Sequence, residues 1–204
     1  MAIKAIAFDY SGVIAGLPSS VFNERMSEML GIPVETFLEE YYKVNYRLNK
    51  EGISSKELLL DLLTILGKDD KRAEVEAFLT PLYANGLEPN ADVIELVRQC
   101  KAAGYKTAIL SNNTLETAAY LHQADFARYF DAILVSMEIG AMKPEPEAFA
   151  KLFSALNVLP EETVFIDDSP KSLSTASEVG YHPILFTTYE QLIKDLAALT
   201  VKII

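Results

Sequence analysis

The chain has 204 residues, half of them hydrophobic, and its 18 basic against 29 acidic side chains give a formal net charge of −11. That is enough chain for one full domain, or a domain with a smaller insertion, and enough apolar content to bury a core. The acidic balance, without any Lys/Arg-rich stripe, argues against nucleic acid as a partner, and no apolar run approaches the ~20 residues that span a bilayer.

Met1-Ala2-Ile3-Lys4 enters a strand-like run, Ile3–Phe8, at once and shows no signal-peptide pattern. From about Pro18 to Asn85 no convincing strand follows. Helical periodicity instead marks Val21–Leu30, Val34–Asn49, Ser55–Leu66 and Lys71–Tyr83, with turns at Gly31-Ile32-Pro33, Glu51-Gly52-Ile53 and Gly67-Lys68-Asp69-Asp70. Strand and helix then alternate. Asn90–Ala103 carries Val93, Leu96, Val97 and Cys100 at helical spacing, with Asn90 placed to cap its start and Gly104 after its end. Cys100, the single cysteine, reads as a core residue of that helix, and its solitude suits a reducing cytoplasm. Further strands are expected at Tyr105–Leu110, Ala132–Ser136, Thr163–Asp167 and His182–Phe186, and helices at Pro146–Leu156 and Pro170–Val179. Such alternation predicts a parallel sheet covered on both faces. The helical stretch inserted after the first strand is either a mobile cap or a bundle packed rigidly on the sheet.

In sheets of this kind ligands bind beyond the carboxyl ends of the strands, so the residues there decide function. They are Asp9-Tyr10-Ser11-Gly12-Val13, Ser111-Asn112-Asn113, Met142-Lys143-Pro144 and Asp167-Asp168-Ser169. In order and spacing these four segments resemble the motifs of the haloacid dehalogenase (HAD) superfamily. A strand ends in Asp with Gly three residues on (Asp9, Gly12). A second ends in Ser-Asn (Ser111, Asn112), a Lys-Pro follows (Lys143, Pro144), and a further strand ends in paired acids (Asp167, Asp168). The resemblance implies a Rossmann-like five-stranded parallel sheet in the order 3-2-1-4-5. Residues 1–15 and 89–204 would form the α/β core domain, and residues 16–88 a helical cap. Right-handed crossovers would bring Asp9 and Asp168 together at the switch point between strands one and four.

The implied activity is Mg²⁺-dependent hydrolysis of a small phosphorylated metabolite through an aspartyl-phosphate. Each residue type has a physical reason. A carboxylate such as Asp9 can attack phosphorus and split one displacement into two. Mg²⁺ takes oxygen ligands, which Asp9, the Ser11 carbonyl and Asp168 supply, with Asp167 as ligand or as its support. Lys143 offsets repulsion between nucleophile and phosphoryl oxygens. The Ser111 hydroxyl and the backbone amides of Tyr10 and Asn112 can donate to those oxygens.

Ser11 departs from the resemblance, because typical phosphatases of the superfamily carry there a second Asp that protonates the leaving alcohol, although a small residue can stand there in a branch with a similar short helical cap. A serine cannot hold a proton at that acidity, and general acid help is worth roughly 10²–10⁴-fold. Three readings follow: a phosphatase whose proton comes from elsewhere, a 2-haloacid dehalogenase-type hydrolase whose halide needs none, or a weakly active HAD-like ligand- or protein-binding protein. In the cap, Arg47 could bind a distant anionic group of the substrate, while Tyr42 and Tyr46, beside Asn45, read as a packing stripe. His122 and His182 are too far apart in sequence to suggest a metal pair.

Overall fold

Alternation along the first strand, β1 (Ala5–Phe8), sets the layers. Ile6 and Phe8 point to one face of the sheet, Ala5 and Ala7 to the other, and all four are fully buried. The computed structural model describes residues 2–84 and 87–202; Asn85, where the sequence ends the helical stretch, lies outside them. After β1 come helices α1 (Ser19–Leu30), α2 (Val34–Val44), α3 (Arg47–Lys50), α4 (Ser55–Ile65) and α5 (Arg72–Ala84). The expected helix over Val34–Asn49 is thus broken between Val44 and Arg47, turning the chain onto α4. The remaining elements are α6 (Ala91–Ala102), β2 (Lys106–Ser111), α7 (Leu115–Gln123), β3 (Ala132–Val135), α8 (Ser136–Ile139), α9 (Pro146–Leu156), β4 (Thr163–Asp167), α10 (Ala176–Val179), β5 (His182–Leu185) and α11 (Tyr189–Ala198).

The five strands pair in parallel in the order β3-β2-β1-β4-β5, as expected. On the Ile6/Phe8 face α6, α7 and α11 deliver Val93, Leu96, Val97, Cys100, Leu121 and Leu192. The small side chains of Ala5 and Ala7 leave room on the opposite face for α9. There Phe149 meets Phe165 edge-on at 5.4 Å and stacks on Tyr181 at 4.5 Å. Each fully buried Leu, Ile or Phe contributes about 1.5–3 kcal/mol, so these two layers fix the strand ends firmly.

The inserted helices have a core of their own, built from Met26, Leu30, Phe37, Leu59, Leu62, Leu63, Val75 and Leu79. They join the sheet through two paired segments: Ala15 bridges Pro89 in antiparallel sense, and Asn90 N–H donates to the Ile14 carbonyl at 2.7 Å. The helix expected over Pro170–Val179 is mostly turn. Ser174 and Ala176 bond three residues back, to Lys171 and Leu173, and Thr175 Oγ1 donates to the Pro144 carbonyl at 2.9 Å, so only Ala176–Val179 is helical. Among the described residues no helix is long and apolar enough to cross a membrane.

Candidate active site

The ladder between β1 and β4 positions the first two carboxylates. Asp9 N–H donates to the Ile166 carbonyl at 2.8 Å, extending the pairing one residue past Phe8, so Asp9 stands beside the end of β4, where Asp167 and Asp168 follow. Carboxylate oxygens of Asp9, Asp167 and Asp168, all buried, lie within 4.8 Å of one another. Lys143 Nζ lies 2.8 Å from Asp9 Oδ1 and 2.6 Å from Asp167 Oδ2, with its side chain only 2% exposed.

The Lys143 backbone is clamped by Asn112, whose Oδ1 accepts from Lys143 N–H and whose Nδ2 donates to the Lys143 carbonyl, both at 2.8 Å. The Asn112 side chain is thereby spent on positioning, and only its backbone amide answers to the contact expected with phosphate. Asp167 has both oxygens engaged, Oδ2 by Lys143 and Oδ1 by the Ser169 N–H at 2.8 Å. Asp168 Oδ2 accepts from the Ser19 N–H, and its carbonyl accepts from Ser19 Oγ at 3.1 Å. The first residue of α1 thus touches an active-site acid directly. Gly12 makes the close approach to Asp168 possible, since a Cβ there would stand 2.0 Å from Asp168 Oδ2, and its φ of +88° suits only glycine.

Three buried carboxylates share one ammonium, and both signs respond. Burial pushes Asp167 up to about 7, against the downward pull of Lys143 and with the upward push of Asp9. Asp168 rises to about 6 through burial and then repulsion from Asp9. For Lys143 burial acts downward, but Asp167 and Asp9 outweigh it and hold its pKa above the ordinary lysine value. Asp9 Oδ1 is buried against the Lys143 ammonium, its polar contact among the described residues. An all-oxygen donor set with surplus negative charge fits a hard divalent cation such as Mg²⁺.

Ser111, buried at the end of β2, and Ser11, after β1, face this cluster across the same cavity. Asn113, which the sequence does not single out, joins them: its Nδ2 donates to Ser11 Oγ at 3.2 Å and to Ser111 Oγ at 3.5 Å. Its Oδ1 accepts from Thr117 Oγ1 at 2.8 Å, which fixes the amide's orientation. Tyr10 buries its ring, and its phenol, paired with Tyr120, is raised above its usual value chiefly by burial. Asn45 and Tyr42 reach the cavity wall, while Tyr46 is exposed. Arg47 does not reach it. Its guanidinium is held by Glu51 at 2.8 Å and Asp61 at 3.1 Å, away from the expected substrate contact. His122 pairs with Glu138 and His182 bonds the Glu161 carbonyl, so neither belongs to the site.

The family model of haloacid dehalogenase-like hydrolases matches residues 3–180. The chain belongs to that family. It is 30% identical to the glyceraldehyde 3-phosphate phosphatase of Methanopyrus kandleri over 87% of this chain and 81% of that one. It is 24% identical to bifunctional epoxide hydrolase 2 of Mus musculus over 98% of its own length but 39% of that protein. The chain thus spans well under half of the first curated relatives it matches. A crystal structure of a dehalogenase superposes with a TM-score of 0.65 at 21% identity, covering 98% of both chains, and shares the fold.

Proposed function

We propose that this HAD-family hydrolase is a Mg²⁺-dependent phosphatase of small phosphorylated molecules, with Asp9 as nucleophile and residues 16–88 as a cap over the site. The observation that carries the reading is the cluster itself: three buried carboxylates within 4.8 Å of one another, with Lys143 as the one cation paired to them among the described residues. Expelling a halide calls for neither a metal nor a proton and gives no reason to bury that surplus charge. Phosphoryl transfer gives one, because charge on the transferring oxygens must be neutralised. The similarity to a relative named as a phosphatase supports the same class.

Asp9, the Ser11 carbonyl and Asp168 would hold Mg²⁺, which when bound supplies charge neutralisation at the phosphoryl oxygens. Asp9 attacks phosphorus, and the bond to the leaving oxygen breaks as the acyl phosphate forms. Lys143 offsets the repulsion between the incoming carboxylate and the phosphoryl group, while Asp167 holds Lys143 in place. Ser111 Oγ and the backbone amides of Tyr10 and Asn112 orient the phosphoryl oxygens. Cys100, free and buried with its thiol pushed up to about 12 by burial, suits a protein of the reducing cytoplasm.

A screen of phosphate esters with and without Mg²⁺, with a 2-haloacid as control, tests the reading. Mg²⁺-dependent release of phosphate is expected. Halide release without Mg²⁺ would replace it with dehalogenation, and silence on every substrate would leave a HAD-like binding protein.

A further inference from the structure

The cavity above Asp9 has a volume of about 650 Å³, and its cap side presents Phe22, Leu38, Tyr41, Tyr42, Leu48 and Leu59 alongside the polar Asn23, Asn45, Ser54 and Ser55. A phosphoryl group occupies only the floor of a space in the range that takes whole organic ligands. Apart from the carboxylate–lysine cluster, the charged side chains on the wall among the described residues are Lys56 and Glu116. Lys56 Nζ turns to Thr80 Oγ1 at 3.1 Å in an exposed bond, and Glu116 is exposed in the first turn of α7. Two further cap cations are committed elsewhere: Lys43 to Glu39 and Glu40, and Arg47 to Glu51 and Asp61. An apolar leaving group would therefore be buried favourably against most of that wall. Independently, Ser11 puts no carboxylic acid two residues after the nucleophile, and a departing oxygen that is stable as an anion suits such a site best.

Resting on the phosphatase reading above, we propose that the leaving group is an uncharged aromatic alcohol, which makes the substrate class apolar aryl phosphate monoesters rather than sugar phosphates. An Asp9 carboxylate oxygen bonds to phosphorus as the P–O(aryl) bond breaks, and the phenolate departs with the electron pair and takes its proton from water. Water then attacks phosphorus, releases inorganic phosphate and restores the Asp9 carboxylate, so that one water is consumed overall.

Two matched pairs of substrates separate shape and polarity from leaving-group acidity. Phenyl and 2-naphthyl phosphate expel phenols of similar acidity; the second ring should lower KM about tenfold by the apolar area it buries. Benzyl phosphate and glucose 6-phosphate are both esters of primary alcohols, and benzyl phosphate should have the higher kcat/KM. Leu38→Asn should shrink the naphthyl-to-phenyl ratio of kcat/KM, a ratio from which any misfolded fraction cancels. Binding of phenylphosphonate and 2-naphthylphosphonate to the wild type, by calorimetry, reads the same preference without turnover. A naphthyl-to-phenyl ratio near one, or preference for glucose 6-phosphate, would overturn the aromatic assignment and leave the phosphatase reading standing. No ester turned over, with 2-naphthylphosphonate still bound about tenfold more tightly, would overturn the phosphatase reading and uphold the aromatic pocket. Failure of both would overturn both.

Discussion

Asn113 Nδ2 donates a hydrogen bond to Ser11 Oγ at 3.2 Å, and Thr117 holds the amide in that orientation. Ser11 thus sits in a polar network that contains no acid. Wild-type rates should depend steeply on leaving-group acidity, with aryl phosphates far faster than alkyl phosphates. Ser11→Asp should narrow that gap by up to the ~10²–10⁴-fold expected of a positioned acid. The gain is smaller if Asn113 donates to the new carboxylate, since that favours its charged form and lowers the fraction that carries a proton to give. Rates for alkyl and aryl esters, measured with chemistry limiting, check this; equal wild-type rates would mean another group supplies the proton.

Lys143 and Asp9 should behave differently when removed. Lys143→Ala leaves three buried carboxylates without their ammonium, and loss of one partner from a buried pair costs about 3–5 kcal/mol. Asp9→Asn relieves a surplus negative charge and leaves Lys143 paired with Asp167, so its stability should stay close to wild type while phosphate release disappears. Urea unfolding of both variants without Mg²⁺ measures the contrast.

The raised Asp167 and Asp168 give a pH dependence of definite sign. Their folded values, about 7 and about 6, lie above the usual 3.8, so between pH 4 and 7 the folded state binds more protons than the unfolded one. Stability of the metal-free protein should therefore fall as pH rises through that window. Added Mg²⁺ competes with those protons, so its increase in Tm should be larger at pH 8 than at pH 5. Thermal melts at the two pH values, with and without Mg²⁺, give the answer.

Gly12→Ala places a methyl group 2.0 Å from Asp168 Oδ2 and forces a side-chain-bearing residue to φ +88°. The backbone cost alone is about 1–3 kcal/mol. The displaced Asp168 should lose its bond from Ser19, so Mg²⁺ affinity and activity should fall together. A Mg²⁺ titration followed by thermal shift and by turnover tests whether they do.

The strand ends were readable because apolar runs that stop at Asp9, Ser111 and Asp167 leave little choice of boundary. Side-chain partnerships across the fold were harder. Arg47 offers a visible partner four residues on in Glu51, but Asp61 comes from the following helix, α4, and no local pattern announces it. Ser19 reaches Asp168 across 149 residues. Asn113 follows Ser111-Asn112 in an obvious place, yet its role depends on a rotamer set by Thr117, one turn into α7. Pro170–Val179 reads as a helix by composition, whereas Thr175, tied to the Lys143 loop through Pro144, keeps most of it in turns.

Asp9 should be phosphorylated during turnover. Acid quenching of the enzyme with Mg²⁺ and 2-naphthyl phosphate, followed by borohydride reduction, converts an acyl phosphate to homoserine that peptide mass spectrometry can locate. Homoserine at position 9, and at neither 167 nor 168, is the predicted result. An unmodified position 9 in enzyme that is turning over, or homoserine at either of the other two acids, would contradict the account.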